Sequence, residues 1–313
     1  MLKRIMYKKI AIASSILLSI LLLYLIPSNK EEIDLNKNQK LEYTSNIETI
    51  YLLDNNDYLS RTKINVSTET TKDKAKELIE LLTINNKKKD IMKASFKPII
   101  PENTKLLDIK LDKGILTINF SKEFNNVKEE YEEKLISSLI YTLTSIDGID
   151  KLSIYVNNSL LTNLPNSKKK IPEYLDKSYG INKEYTITTL NDIDSYTIYY
   201  ISNYNDETYY VPVTKYINDK KQDKVKIIID ELKASLTYES NLMSYLDNNV
   251  KLLNYEINEE TIKLNFNDLI LSDITNDKIL EEVTYTIGMS LCEDLNLKRV
   301  IFEVEGKEIC TFS

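Results

Sequence analysis

The feature that most constrains this chain is that one pattern occurs in it twice. Thr49-Ile50-Tyr51 returns as Thr197-Ile198-Tyr199, and Lys105-Leu106-Leu107 returns as Lys251-Leu252-Leu253. Ile118-Asn119-Phe120 returns as Leu264-Asn265-Phe266, and Tyr141-Thr142-Leu143 as Tyr285-Thr286-Ile287. Each match alone is weak. Their shared order at a spacing of roughly 147 residues makes chance a poor account, and a fixed internal period is the mark of a duplicated structural unit. A unit of about 110 residues is long enough to bury its own core.

Hydrophobic periodicity gives both copies the same elements. Ala75, Leu78, Ile79 and Leu82 fall at i, i+3, i+4, i+7, an amphipathic helix, and Val225, Ile228, Ile229 and Leu232 repeat the stripe. Leu107, Ile109 and Leu111 alternate with polar residues, as do Leu253, Tyr255 and Ile257, so both runs predict a strand with that face buried. Short turns, Asp112-Lys113-Gly114 and Asn258-Glu259-Glu260, lead into second strands carrying Leu116, Ile118, Phe120 and Ile262, Leu264, Phe266, so each pair forms a β-hairpin. A second helix follows, with Tyr131, Leu135, Leu139, Thr142 and Leu143 on one face, then Ile279, Val283, Thr286 and Ile287 in the other copy. Leu152, Ile154, Val156 and Val300, Phe302, Val304 close the copies as last strands. The second copy has about four more residues between its Tyr-Thr pair and its last strand, one helical turn.

Each unit thus reads as two edge strands, helix, hairpin, helix, strand. The expected fold class is α+β: two tandem copies of a small two-layer domain, an antiparallel sheet with two helices on one face. The domains are predicted over residues 47–161 and 196–313, with a connector over 162–195 that holds Pro165, Pro172, Gly180 and Lys168-Lys169-Lys170.

The N-terminal thirty residues follow another logic. Lys3, Arg4, Lys8 and Lys9 precede an uncharged run from Ile10 to Ile26, which Pro27 to Glu32 ends sharply. That length is near the lower limit for a membrane-spanning helix, and the basic flank should stay cytoplasmic. Residues 1–30 are therefore expected to be an uncleaved single-pass anchor in the cell membrane, residues 31–46 a polar stalk, and the rest extracytoplasmic. A cleaved signal peptide shares the basic and apolar parts but needs a small-residue cleavage site, which Leu25-Ile26-Pro27-Ser28 fits poorly. A lipoprotein needs a Cys just after the apolar run, and the first is Cys292.

Composition narrows the chemistry. The 313 residues contain no His and no Trp. Without His there is no Ser-His-Asp or Cys-His arrangement and no His-containing zinc site. The five Gly lie too far apart for a phosphate-cradling loop. A net charge of −7 with no basic face argues against nucleic acid. Cys292 and Cys310 have no metal-ligand spacing and read as two free, buried thiols, although one disulfide is open to an exported chain. No catalytic, cofactor-binding or metal-ligating set stands out, and the chain reads as non-enzymatic.

Four features still compete with bland readings. Glu129, Glu130, Glu132 and Glu133 resemble an acidic cluster but sit at a helix start, where the dipole favours negative charge. Asn119 and Asn265 recur at one strand position, where a solvent-facing role is the simpler one. Tyr141-Thr142 and Tyr285-Thr286 have helical spacing that favours core packing over contact roles. The Tyr-rich stretch from Tyr196 to Tyr210 could be an exposed strand that pairs with a neighbouring subunit.

On these residues the sequence resembles the GerM family of spore-forming bacteria, which carries tandem GerMN domains. The resemblance rests on Ile100-Pro101-Glu102-Asn103-Thr104-Lys105-Leu106, Leu116-Thr117-Ile118-Asn119-Phe120-Ser121 and Leu139-Ile140-Tyr141-Thr142-Leu143-Thr144. The connector adds Ile171-Pro172-Glu173-Tyr174-Leu175 and Tyr179-Gly180-Ile181-Asn182. It covers about Ile47 to Gly306, and the tandem order plus the connector is its specific part. In the second copy Tyr285-Thr286-Ile287-Gly288 and Asp247-Asn248-Asn249-Val250 depart from the fuller pattern, and the chain lacks the lipobox Cys of family lipoproteins. The resemblance implies a scaffold role in sporulation and germination, in the space between the forespore membranes. It implies support for a channel-like complex linking mother cell and forespore, with sporulation envelope proteins as partners and assembly like that of ring-building modules. Two other classes remain: a cell-wall (peptidoglycan) binding or hydrolysing protein, which as a hydrolase needs two carboxylates at a set separation, and a germination-signal binder, which needs a deep apolar pocket.

Overall fold

The computed structural model describes residues 46–85, 95–205, 207–218, 223–233 and 241–313. The expected anchor (1–30) and all but the last residue of the expected stalk (31–46) lie outside the described residues. Among the described residues no helix is long and apolar enough to cross a membrane. Residues Ser45–Ser313 pack as one unit.

The first copy opens with a hairpin, β1 (Ile47–Leu53) and β2 (Leu59–Asn65), followed by helix α1 (Thr71–Leu81). The Thr70 hydroxyl accepts the Asp73 N–H and so caps α1. Strands β3 (Leu106–Asp112) and β4 (Ile115–Phe120) form the predicted hairpin, then come α2 (Glu132–Leu143), β5 (Lys151–Val156) and the short β6 (Ser159–Leu160). The connector adds β7 (Glu184–Tyr185). The second copy repeats the plan: β8 (Ile193–Tyr204), β9 (Glu207–Asn218), α3 (Lys224–Lys233), β10 (Leu252–Asn258) and β11 (Thr261–Phe266). A small hairpin of β12 (Leu271–Asp273) and β13 (Lys278–Ile279) precedes α4 (Glu281–Leu295), β14 (Arg299–Val304) and β15 (Lys307–Phe312).

The architecture is mixed α/β, and it departs from the expected two-layer antiparallel unit in three ways. First, β4 pairs with β5 in parallel, and β11 with β14, because a helix carries the chain back across the sheet between them. Each outer sheet is therefore mixed, in the orders β3-β4-β5-β6 and β10-β11-β14-β15. Second, the leading hairpins belong to neither outer sheet. They join each other, β2 beside β9, in one central sheet shared by both copies. Third, the second helix of each copy lies between sheets. Every residue of α2 from Leu135 to Leu143 is buried, because the helix packs on β1 with one face and on β5 with another. The unit is thus layered sheet, helix, sheet, and the predicted one-sided stripe is only half of the buried surface.

The core runs through all layers. Ile50, Leu78, Ile118, Leu139 and Leu152 in the first copy, and Ile198, Ile228, Leu264, Ile287 and Val300 in the second, are essentially inaccessible. Each such side chain contributes about 1.5–3 kcal/mol by leaving water. The predicted buried face of the outer hairpins fails at its entry. Leu107 and Leu253 are 49% and 45% exposed, and Ile257 is 47% exposed. The ladder slips between Leu106 and Asp108 and again between Leu252 and Asn254, and this bulge turns the same leucine outward in both copies.

Candidate functional site

The central junction is built from the leading hairpins. Strands β2 and β9 hold equivalent places in the two copies and meet antiparallel at Arg61 and Tyr210. Behind that line Tyr51 and Tyr199, both buried, approach with their hydroxyls 3.1 Å apart. Equivalent strands pairing antiparallel, with equivalent side chains touching, mean that the copies are related by an approximate two-fold axis through the pair. Burial lifts both phenols well above their usual range, so each stays a neutral hydroxyl and one donates to the other. Helices tie the strands from behind. The Tyr51 N–H donates to Thr142 Oγ1 at 3.0 Å, and the Tyr199 N–H donates to Ser290 Oγ at 2.9 Å.

That second pair of bonds corrects the repeat. The partner of Thr142 is Ser290, and Thr286 lies one helical turn earlier. A slip of one turn keeps an apolar stripe in phase, so the recurrence of Tyr141-Thr142-Leu143 as Tyr285-Thr286-Ile287 fits the stripe but is not the structural match. The spacing of 148 that links Tyr51 to Tyr199 instead places Tyr285 where the first copy has Ser137. Tyr141 is buried as predicted, edge-on to Tyr51 at 5.4 Å, and its hydroxyl donates to Lys177 O. Tyr285 instead joins the junction: it stacks on Tyr210 at 4.0 Å, meets Phe312 edge-on and accepts from the Arg61 guanidinium. Gly288 is required on the same helix, because a Cβ there would lie 2.4 Å from the Phe312 ring.

Two further devices cross the junction. Asp54, buried in the β1–β2 turn, accepts from the N–H groups of Asn56 and Tyr58, from the Ser60 hydroxyl and, from the other copy, the Tyr209 hydroxyl at 3.1 Å. The connector supplies a clasp through Tyr179-Gly180-Ile181-Asn182. Tyr179 O accepts from the Tyr216 hydroxyl, and Gly180 O accepts from the Ser137 hydroxyl. Ile181 exchanges bonds with Thr214. The Asn182 amide donates to Leu59 O and Pro212 O, while its oxygen accepts the Leu59 N–H, so it bridges β2 and β9 where their ladder is open. Nearby, Lys177 Nζ lies 2.9 and 3.0 Å from the two oxygens of Glu293 on α4.

Beside the β1–β2 turn an open groove of about 1280 Å³ runs between the start of α2 and the connector. The acidic cluster lies here and divides. Glu132 is 1% exposed and accepts the N–H groups of Asn166 and Ser167. Burial opposes its charge, but those bonds prevail and hold the carboxyl below its usual range. Glu133 is flanked by Lys169 at 2.6 Å and Lys183 at 3.5 Å, which outweigh its burial and likewise depress it. These two carboxylates hold the connector against α2, whereas Glu129 and Glu130 are exposed.

The other singled-out residues find plain roles. Asn119 accepts the Asn158 N–H, and Asn265 accepts the Gly306 N–H, so each steadies the turn after the last parallel strand of its copy. The Tyr-rich stretch is not an exposed strand for a neighbouring subunit. Tyr196, Tyr199, Tyr200 and Tyr209 are buried, β8 pairs with β9 along its length, and the other side of β9 is met by β2 of the same chain. Cys292 and Cys310 are free and half-buried rather than fully buried, and burial pushes the Cys292 thiol up to about 11. The clasp and Asp54 were missed as cross-copy contacts, although the clasp coincides with a connector motif visible in the sequence.

A family model described as Germane, sporulation and spore germination, matches residues 49–162 and 197–310. Over 264 residues the chain is 32% identical to the spore germination protein GerM of Bacillus subtilis (strain 168), covering 82% of this chain and 71% of that protein. Its fold is similar to the tandem GerMN domains of the sporulation protein GerM from Bacillus subtilis, with a TM-score of 0.76 and 30% identity over 83% of this chain and 91% of that one. The matched segments fall on the two copies that meet at Tyr51 and Tyr199, and the chain belongs to the Germane family of sporulation and spore-germination proteins.

Proposed function

We propose that this protein is a non-enzymatic envelope scaffold in spore formation and germination, supporting a complex that links mother cell and forespore. In this reading residues 10–26 anchor it in the outer forespore membrane and the two copies face the intermembrane space. The observation that carries the reading is the junction. A hydroxyl pair, a cross-copy carboxylate and the connector clasp tie the two copies into a single strut, the mechanical property a spacer between membranes requires. The bulged edge strands β3 and β10 supply assembly edges. Each carries an outward leucine, Leu107 or Leu253, and lies at the end of its sheet, where a further strand can be added, which favours ring-type assembly with sporulation envelope proteins.

Deletion of the gene, scored for heat-resistant spores and imaged through engulfment, tests the role. The scaffold reading expects normal growth with shrunken or stalled forespores and lost spores. Untouched sporulation with chained or misshapen vegetative cells overturns it in favour of a general cell-wall function.

A further inference from the structure

Two grooves occupy equivalent places beside the leading hairpins, and they differ sixfold in size. The first copy's groove measures about 1280 Å³, and its counterpart beside the β8–β9 turn and the start of α4 about 210 Å³. The connector walls only the first groove, through Ser167, Lys169 and Asn182 to Tyr185, and one helix position also differs between the two. Ser137 lines the first groove, while the equivalent Tyr285 stands in the second, stacked on Tyr210 and held by Arg61. The second copy plugs this position with a ring, whereas in the first Ser137 is small and buried at the groove floor, donating to Gly180 O.

The open groove has a definite chemistry. At its rim Tyr185 is 61% exposed, yet its ring is fixed flat against Tyr216 at 4.9 Å and 15°. A rigid aromatic face held toward water is a stacking platform. The lining carries lysines and carboxylates together, and Glu133 is spent on Lys169 and Lys183. Glu129 is exposed, and Glu184, also exposed, has Oε2 3.8 Å from Lys215 and offers Oε1 as a hydroxyl acceptor. A cationic segment would meet Lys128 and Lys134, and an anionic polymer would meet the glutamates. A neutral pyranose chain meets neither obstacle. Its C–H face stacks on an aromatic ring, and its hydroxyl and acetamido N–H groups donate to carboxylates.

We propose that the groove of the first copy binds an extended polymer of N-acetylated aminosugars, the neutral backbone of bacterial cell wall, with one sugar ring stacked on Tyr185 and hydroxyls donated to Glu129 and Glu184. This site does not depend on the scaffold role and would stand if that role failed.

The test uses the full chain in detergent micelles, titrated calorimetrically with a hexamer of β-1,4-linked N-acetylglucosamine and co-sedimented with washed peptidoglycan. Binding of both is expected. Tyr185→Ala weakens the hexamer roughly tenfold, the scale of one aromatic stacking contact. Ser137→Tyr, which copies the plug of the second copy, abolishes binding. Tyr174→Ala, exposed but outside the groove, leaves it unchanged. Thermal unfolding of each variant verifies folding, and because Tyr185 is a surface ring its variant remains informative if Ser137→Tyr does not fold. The proposal is overturned if the wild-type chain binds no hexamer at millimolar concentration, or if Tyr185→Ala binds as wild type. It is overturned equally if a lysine-rich peptide binds the groove and the hexamer does not displace it.

Discussion

The hydroxyls of Tyr51 and Tyr199 lie 3.1 Å apart at the centre of the shared sheet, and the two residues hold the same place in the two repeats. Each is the other's partner because burial leaves neither any water. Replacing Tyr51 by Phe strands the Tyr199 hydroxyl, at a cost of about 1–2 kcal/mol, the usual penalty for an unsatisfied buried donor, whereas Tyr199→Phe leaves the Tyr51 hydroxyl its Arg61 neighbour and costs less. Replacing both removes the stranded group, so the double variant should lose less than the two single losses added. A double-mutant cycle by urea unfolding reads this as a coupling of about 0.5–1.5 kcal/mol. Strict additivity would mean that the two hydroxyls do not interact in solution.

Asp54 should be the most sensitive turn residue. Its carboxylate takes four donors, one of them the Tyr209 hydroxyl of the other copy. Asp54→Ala removes that acceptor from all four donors, of which only the Asn56 N–H belongs to an exposed residue, and a loss of about 3 kcal/mol or more is expected. At the usual scaling for a chain of this size the Tm falls by roughly 6–12 °C. Asp54→Asn keeps one acceptor and should fall between. A loss under about 1 kcal/mol for the alanine variant would show that water replaces the carboxylate at no cost.

Gly180 sits at φ 80° and ψ 163°, a backbone region that only glycine occupies readily, and a Cβ there would lie 2.6 Å from the Tyr216 hydroxyl. Gly180→Ala therefore strains the clasp by about 1–3 kcal/mol before any clash is counted. Limited proteolysis should then cut the connector, near residues 177–185, faster than elsewhere in the variant. Unchanged cleavage and an unchanged Tm would mean that the clasp tolerates rearrangement.

The elements were legible in the sequence because their apolar periods differ. Val225 to Leu232 carries a helix stripe, and Leu116 to Phe120 alternates as a strand, so helices and outer hairpins could be placed without contacts. The merging of the leading hairpins was not legible. Tyr196 to Ile201 is a nearly continuous apolar run buried on both faces, and nothing local says that β2 of the same chain meets the strand after it, β9, rather than a second molecule. The parallel pairing of β4 with β5 followed from a helical crossover that the element order already contained. The four-residue slip on α4 could not be seen, since one turn preserves the apolar face and only the Tyr199–Ser290 bond fixes the register. The bulge at Leu107 and Leu253 escaped for a similar reason: alternation continues through it while the side chain turns outward. Of the groove, the acidic cluster was visible, but its division between structural and exposed carboxylates needed the positions of Asn166, Lys169 and Lys183.

Asp294 should give the second copy a pH-dependent stability that the first lacks. The residue lies near the end of α4, where Oδ1 accepts the Thr197 N–H at 2.9 Å and Oδ2 is enclosed without a partner. Burial pushes its carboxyl up to about 7, against the Thr197 bond and Lys224, while Glu293 and Asp194 add to the rise. In the unfolded chain the same carboxyl ionises near its ordinary value, about 3.9. Between those two values the folded protein holds a proton that the unfolded chain has lost, so stability is fully present below about pH 4 and falls as pH rises toward 7. Allowing for partial exposure of the side chain, the loss should amount to about 1–2 kcal/mol by pH 8. Asp294→Asn keeps an acceptor for Thr197 and carries no charge. Urea unfolding of the two proteins at pH 5 and pH 8 should show the variant gaining about 1–2 kcal/mol relative to wild type at the higher pH. If both proteins change equally between the two pH values, the carboxyl of Asp294 already ionises near its ordinary value in the folded state, and its burial is relieved by water.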